Sequence, residues 1–228
     1  MLVQDRGFAE KSRSMASRTA KRSAWLDIVA MTAVLLSYLW FWQRTFPGEL
    51  FVCIALVVGL AVWSHWRRGE TPRDLGFRTD NLVPAAVKVF SFVGPLIVVI
   101  LLVGMWLGSF RVLARDEFLA RLTILPLFGL AQQYLLLGFY LRRYQEALPG
   151  DRLPVLATAL TFSLLHLPNS FLVGATFLVG LGSCWLYARA KNLWVLGLAH
   201  GLLSLAISVS ISKSLASGMK VGSRALRR

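Results

Sequence analysis

The chain has 228 residues, of which 56% are hydrophobic and 16% are charged, and its formal net charge is +14 at pH 7. Soluble globular domains carry charge on about a quarter of their residues, so this composition excludes an ordinary soluble domain. Because backbone polar groups in lipid must be paired within the spanning segments, we expect an all-α fold, a polytopic bundle of transmembrane helices.

Seven apolar stretches are candidates for crossing about 30 Å of hydrocarbon. They cover residues 25–42, 50–66, 82–110, 122–141, 153–167, 170–187 and 193–212. If the chain folds back near Gly104 or Gly108, the third stretch forms two spans, and the basic residues then divide more unequally between the two faces. We therefore expect seven or eight spans in one bundle over residues 25–212, with eight slightly preferred and no second domain.

The Lys and Arg residues fall between the apolar stretches, with Lys88 as the exception. This distribution is typical of the positive-inside rule rather than of a nucleic-acid surface, so no nucleic acid is expected as a partner. The first 24 residues are expected to form a basic, disordered, cytoplasmic tail before an uncleaved signal anchor. Residues 213–228 form a second basic tail. We thus expect a multi-pass protein of the cell membrane with a cytoplasmic N-terminus.

Polar side chains occur in three patterns inside the apolar stretches, where each is costly and therefore a candidate functional group. They are the adjacent amides Gln132 and Gln133, the pair Phe162 and His166, and the pair His200 and Ser204. The members of each of the last two pairs are four residues apart, so they share one face of a helix. No acidic residue follows Asp151.

Small residues between the two histidines predict a close helix contact. Gly174, Gly180 and Gly182 form this small-residue surface. Cys53 and Cys184 lie inside apolar stretches, where we expect free buried thiols that pack as small hydrophobic groups.

About the last 100 residues resemble the CPBP family of membrane proteins, which includes the type II CAAX prenyl endopeptidases and the abortive-infection proteins. The family is recognised by Glu-Glu-x-x-x-Arg, Phe-x-x-x-His and His-x-x-x-Asn or Asp on successive intramembrane helices. In the same order, this chain has Gln132-Gln133-x-x-x-Leu137, Phe162-x-x-x-His166 and His200-x-x-x-Ser204. The flanking residues 137–139 and 192–199 and the loop 71–77 are also similar to the family, and the family-like core covers about 120–212.

The resemblance implies an intramembrane site in which, in active relatives, paired glutamates and histidines hold and deprotonate a water that attacks a peptide carbonyl. It places the catalytic motif positions at Gln132, Gln133, His166 and His200 and supporting positions at Phe162, Leu137 and Ser204. General-base catalysis needs a group whose pKa can be tuned toward the working pH. A glutamine amide has no such proton equilibrium, so we expect reduced or absent proteolytic activity.

Two further departures agree with the loss of the glutamates. Leu137 stands where the family has an arginine that would hold a carboxylate, and Ser204 stands where it has the Asn or Asp that would bind substrate or an oxyanion. Glu146 is the nearest acidic residue after the amide pair, but it lies about 20 Å along the helix from Gln133. A mechanism based on glutamate therefore lacks its acid.

Other chemistries remain open at these positions. His166, His200 and Cys184 are candidate metal ligands, although no metal or other cofactor is expected, because a third ligand of the usual type is missing nearby. Ser163 or Ser204 is a candidate nucleophile with a histidine as base. The plainest interpretation is that the amides and imidazoles bond one another as polar contacts between helices.

Three classes of function follow from this sequence. The preferred one is a CPBP, CAAX-type intramembrane endopeptidase homologue with reduced or no activity, in other words a pseudoenzyme. The alternatives are a non-catalytic binder, chaperone or immunity factor for a lipidated or transmembrane protein, and a small transporter. The expected partners are membrane lipids and a prenylated or transmembrane peptide.

Overall fold

A computed structural model describes residues 2–212 and 219–226, so half of the predicted tail 213–228 lies outside the described residues. All regular elements in these two ranges are helical, which confirms the predicted all-α polytopic bundle. The elements are α1 (Leu2–Ser37), π1 (Tyr38–Trp42), α2 (Glu49–Trp66), α3 (Leu82–Trp106), α4 (Arg115–Gln133), π2 (Tyr134–Leu141), α5 (Arg142–Ala147), α6 (Arg152–Leu164), α7 (Ser170–Ala190), α8 (Leu193–Ser210) and α9 (Ser223–Leu226).

Among the described residues, 6 helical segments are long and apolar enough to cross a membrane, instead of the seven or eight that the sequence predicted. The third stretch is the single helix α3, so the predicted fold-back is wrong. Gly104 lies inside α3 and allows the end of α8 to approach closely, since a Cβ atom there would lie 2.5 Å from Cβ and 2.7 Å from Cα of Ser210. The predicted span 153–167 is the 13-residue helix α6, which is about 20 Å long and therefore shorter than the hydrocarbon layer.

The helices run between two ends of the bundle. The basic end holds the start of α1, the loop 67–81, the loop 148–151 and the α7–α8 turn, and the opposite end holds the other connections. α6 and the turn after it run most of the way to the opposite end, where the Leu167 carbonyl accepts a hydrogen bond from Gly222 N–H. The chain thus passes between the two ends in the order that the seven-span arrangement predicted.

The first 24 residues are helical from Leu2 onward, whereas their polar and basic composition predicted a disordered tail. The reason is local: residues 2–37 contain no proline and a single glycine, Gly7. Proline and glycine are the residues that most strongly disfavour a helix. The apolar part of α1 supplies the packed segment from which the helix extends.

Helices α4 and α8 approach each other at backbone distance because glycines face the contact. A Cβ atom placed on Gly201 would lie 2.5 Å from Cα of Pro126, and one on Gly197 would lie 2.6 Å from Cα of Leu130. Gly129 on α4 has the same role, since its Cβ would lie 2.6 Å from the carbonyl oxygen of Gly197. This is the small-residue packing typical of membrane helices.

The predicted glycine surface on α7 is only partly a contact. A Cβ atom on Gly180 would lie 3.1 Å from Cα of Ala159 in α6. Gly174 and Gly182 have open space where their side chains would be, so they contact no neighbouring helix at that point. The predicted close contact therefore occurs at Gly180, whereas the glycines between α4 and α8 approach backbone more closely.

Asparagine side chains fix the start of α8 and connect it to the loop 67–81. Asn192 accepts a hydrogen bond from Val195 N–H, as N-cap residues do. Its amide donates to the Arg78 carbonyl at 2.8 Å and to Asn81 Oδ1 at 2.7 Å. Because Asn192 is fully buried, these bonds stabilise the position of α8 against the loop.

A buried ion network closes the basic end. Glu70 accepts hydrogen bonds from His65 at 2.6 Å, from Arg142 at 2.6 Å and from the fully buried Arg143. Burial alone would raise the pKa of Glu70, but the His65 hydrogen bond and the charges of the two arginines lower it to about 2. Glu146 joins the network as a second partner of Arg143.

The first prediction concerns the α4–α8 contact. Gly201→Ala is expected to lower the free energy of unfolding by about 1–3 kcal/mol, because the new methyl group meets backbone rather than a flexible side chain. Gly59→Ala on α2 is the matched control, since a Cβ there has nothing within 4 Å. Thermal unfolding in detergent measures both variants, and equal stability of the two would contradict the close contact.

The second prediction concerns acid stability. The pKa of Glu70 in the folded protein, about 2, is below its ordinary value of 4.5. Its contribution is therefore complete above about pH 4.5 and is lost as the pH falls toward 2. Glu70→Gln should lower stability at pH 7 by about 3–5 kcal/mol, because Arg143 is left buried without this partner.

The exposed Asp80 provides the control for this prediction. Asp80 pairs with Arg73 and Arg78 near the same end, but all three are at least partly exposed. Exposed ion pairs contribute little, so Asp80→Asn should leave the acid unfolding profile nearly unchanged. Unfolding as a function of pH measures both variants. A profile for Glu70→Gln that matches the wild type would contradict the role of the buried network.

Candidate functional site

The close approach of α4 and α8 brings Gln133 next to His200. Gln133 is only 1% exposed, and its Nε2 donates hydrogen bonds to His200 Nδ1 at 2.9 Å and to Ser183 Oγ on α7 at 3.0 Å. One amide therefore connects three helices. Its own carbonyl oxygen, Oε1, is buried and has no hydrogen-bond partner among the described residues.

Phe162 joins the second histidine to this group. Its ring lies 4.9 Å from the His166 ring and 6.2 Å from the His200 ring, both measured between centroids. His166 lies in the turn after α6, and its Nδ1 is 2.7 Å from the Phe162 carbonyl oxygen. The structure thus gathers Gln133, Phe162, His166 and His200, which come from all three predicted motifs.

The remaining motif positions are not part of this polar group. Within the described part of the chain, Gln132 and Ser204 make no polar contact with Gln133 or with either histidine. Leu137 is fully buried in an apolar cluster that also contains Leu141 and Leu193. The position that carries arginine in the family therefore contributes only packing here.

The hydrogen-bond partners determine which ring nitrogen of each histidine carries the proton. A carbonyl oxygen only accepts, so His166 donates from Nδ1, and its Nε2 is free to accept when the ring is neutral. An amide nitrogen only donates, so His200 accepts at Nδ1 and carries its proton on Nε2. The site therefore presents one ring nitrogen that accepts a hydrogen bond and one that donates.

Ser163, considered above as a nucleophile, is already used in packing. Its hydroxyl donates to the Val173 carbonyl oxygen on α7 at 2.8 Å. Cys184 and Cys53 are free and buried, as expected. No group of three or more His, Cys, Asp or Glu side chains that could hold a metal ion occurs within residues 2–212 and 219–226.

A cavity of about 240 Å³ lies beside Gln133 and His200, between α3, α4, α7 and α8. Apart from Gln133, Ser183 and His200, its walls are glycine and apolar side chains, among them Phe92, Leu178 and Trp185. These last three side chains are also exposed on the outer surface of the bundle. The polar group is therefore in contact with a space that opens toward the lipid side of the helices.

Three features of the site were not predicted from the sequence. The helix after Gln133 continues as π2, a π-helix, which is rare and is found mostly at functional sites. Ser183 lies among the small residues of α7, and no local pattern indicates that it bonds to Gln133. The Trp and Arg neighbours of His65 are typical of a bilayer edge, whereas its side chain is buried against Glu70.

The comparison with protein families agrees with this arrangement. Residues 114–206 match the family described as Rce1-like, type II CAAX prenyl endopeptidase Rce1-like. The matched segment begins just before α4 and ends within α8, so it contains every motif position. No curated protein and no solved structure matches the chain significantly. Residues 114–206 are thus an Rce1-like region similar to type II CAAX prenyl endopeptidases, consistent with the CPBP family of membrane proteins that the motifs indicated.

Proposed function

We propose that this chain is a CAAX-type intramembrane endopeptidase homologue with reduced or no proteolytic activity. The observation that carries the proposal is the direction of the hydrogen bond from Gln133 to His200. An amide that donates to Nδ1 keeps the proton of a neutral imidazole on Nε2, so that nitrogen cannot accept a proton from water. A carboxylate at the same position would accept from Nδ1–H and leave Nε2 free as a base.

Of the two histidines at the site, His166 is the one whose Nε2 can still accept a proton, but it lacks the partners that a general base needs. Its Nδ1 is bound to a backbone carbonyl, not to a carboxylate that would stabilise the imidazolium. Leu137 and Ser204 provide no charge or amide donor for a developing oxyanion, and such donors supply much of the rate enhancement in acyl-transfer enzymes. These features support strongly reduced catalysis.

Two acidic residues at the basic end, Glu70 and Glu146, are committed to ion pairs. Glu70 pairs with Arg142 and Arg143, and Glu146 pairs with Arg68 and Arg143, all at the basic end. Moving either carboxylate to His200 would remove one of the two ion-pair partners of the fully buried Arg143, which is strongly destabilising. This supports a site without an acid.

A second candidate function is the non-catalytic binding of a lipidated or transmembrane protein. The observation that favours it is the cavity, which connects the polar group to the lipid-facing surface. The transporter alternative has no comparable support, since Lys88 donates to the Arg189 carbonyl at the basic end instead of lining an interior path. The test of non-catalytic binding is whether detergent-solubilised protein retains prenylated or transmembrane peptides without cleaving them.

The third prediction tests the role of the amide. Wild-type protein in detergent is expected to show no measurable cleavage of prenylated or transmembrane peptides. The combined change Gln132→Glu, Gln133→Glu and Leu137→Arg should raise the cleavage rate, because regaining a positioned base is worth on the order of 10² to 10⁴ in rate. Adding Ser204→Asn should raise it further if oxyanion contact limits the reaction. Product formation followed by mass spectrometry measures each rate.

Single changes provide the matched controls. Gln132→Glu alone should give no gain, because Gln132 does not contact either histidine. Leu137→Arg alone should destabilise the protein, since it buries an unpaired charge. If the unmodified chain cleaves a peptide, and His166→Ala and His200→Ala each abolish that cleavage, a histidine is the base and the proposal is wrong.

The fourth prediction concerns orientation. We propose that the basic end faces the cytoplasm of a cell membrane, because Lys and Arg concentrate there. Reporter fusions after Ala24 and after Asp74 should both report the cytoplasmic side, and a fusion after Ser109 should report the opposite side. Fusions that place Ala24 and Asp74 on opposite faces would contradict this orientation.

A further inference from the structure

Residues 219–226, named the clasp here, cross the opposite end of the bundle and contact two separate helical segments. Gly222 N–H donates a hydrogen bond at 2.8 Å to the carbonyl oxygen of Leu167, in the turn after α6. On its other side, a Cβ atom placed on Gly222 would lie 2.9 Å from the carbonyl carbon of Leu39 in π1. The clasp therefore lies between the end of the α1–π1 segment and the α6–α7 turn.

Asn169 connects the clasp to the backbone of His166. Its Oδ1 accepts a hydrogen bond from Leu172 N–H at 3.1 Å, as an N-cap residue does, and its Nδ2 donates to the Lys220 carbonyl at 3.1 Å. Its own N–H donates to the His166 carbonyl at 3.1 Å, and the residue is only 3% exposed. The turn that carries one histidine of the site is therefore bonded to the clasp twice, at Leu167 and at Asn169.

Behind this turn, a groove of about 420 Å³ separates α1 from α6. The side chains that line it include Ile28, Leu36, Leu164 and Leu165. Toward the basic end, Tyr144 connects the two walls, because its hydroxyl lies 2.7 Å from Thr161 Oγ1 and its ring meets Trp25 of α1 edge to face. At the opposite end, the clasp connects them.

The short length of α6 makes the position of its last turn depend on such contacts. The helix ends at Leu164, within the hydrocarbon layer, and Phe162 and His166 lie on its last turn and in the turn that follows. A segment with few packed neighbours opens locally at a lower free energy than the rest of a fold. The groove leaves one side of α6 without such neighbours, so the hydrogen bonds from the clasp have a large share in holding the turn.

We infer that the clasp positions His166, by holding the α6–α7 turn against the end of α1 and closing the groove between α1 and α6 at the opposite end. When the clasp is released, the groove widens there, and the rings of Phe162 and His166 lose their fixed distance from His200. Asn169 is a positioning residue in this arrangement. The inference goes beyond the proposed function, because it names the segment that positions the site whether or not the site cleaves.

The three histidines of the chain allow a direct test by NMR of ¹⁵N-histidine-labelled, full-length protein in detergent. Gly222→Val should displace the clasp, since the new side chain meets the backbone of Leu39 and strains a φ of +60°. The ring signals of His166 and His200 should shift or broaden. His65 is the internal control, because it is buried against Glu70 at the basic end, and its signals should stay unchanged.

Two further variants separate release of the clasp from general strain. Gly108→Val is the matched control, since Gly108 lies at the same end with a φ of +65° but has nothing within 4 Å of its Cβ position. It should leave the signals of His166 unchanged. Asn169→Asp keeps the acceptor for Leu172 N–H but removes the donor to the Lys220 carbonyl, so it should change the His166 signals without the steric clash of Gly222→Val.

Pairs of spin labels measure the width of the groove. Labels at the exposed Phe41 and Leu167 span its opposite end, and labels at Leu26 and Leu153 span the same two helices at the basic end. Both pairs are placed in a background with Cys53→Ala and Cys184→Ala. Gly222→Val should lengthen and broaden the first distance by about 5 Å, one helical turn, and leave the second unchanged.

The outcomes are distinct from those of the cleavage assays, because no peptide is present. Signals of His166 that stay unchanged in both Gly222→Val and Asn169→Asp would overturn the inference. An equal change in Gly108→Val, or equal broadening at both label pairs, would also overturn it, since the whole bundle would then have loosened. Cleavage of a peptide by the wild-type chain would overturn the proposed function and leave the role of the clasp untouched.

Discussion

The backbone contact between α4 and α8 is the constraint on which the site depends. Gly129, Gly197 and Gly201 leave no room for a side chain, so the two helices meet at a distance that any larger residue would prevent. This contact lies within about one turn of Gln133 and His200, and it holds the amide within hydrogen-bond distance of the imidazole. Lipid offers no hydrogen-bond partners to the Gln133 amide or the His200 ring. Their mutual hydrogen bond therefore stabilises the crossing of α4 and α8.

A second constraint acts at the basic end, where the chain concentrates its buried charge. Glu70, Arg142 and Arg143 connect the loop 67–81 to α5, and Asn192 connects the same loop to the start of α8. The loop 67–81 therefore connects the continuous helical segment α4–π2–α5, which carries Gln133, to α8, which carries His200. The acidic residues Glu70 and Glu146 thus stabilise the bundle at this end, and no acidic residue occupies a motif position.

The substitution of amide for acid changes the direction of a hydrogen bond rather than the packing. Gln133 fits the position that the motif gives to a carboxylate, and it still bonds His200 and Ser183. Because its nitrogen can only donate, His200 accepts at Nδ1 and carries its proton on Nε2, and Oε1 of Gln133 is left buried without a hydrogen-bond partner among the described residues. The same substitution thus accounts for the loss of a base at this position.

The sequence by itself determined the all-α membrane class, the approximate position of each helix and the motif residues Gln133, Phe162, His166 and His200, because composition, apolar length and fixed spacing are properties of the chain alone. The sequence did not determine the number of spans: α3 is one helix, so the fold-back that would give an eighth span is absent, and α6 is shorter than the hydrocarbon layer. Only the tertiary structure decided that Ser183 joins the site, that Leu137 and Ser204 do not, and that His65 is buried against Glu70. Those outcomes depend on which faces of different helices meet, and no local pattern encodes that pairing.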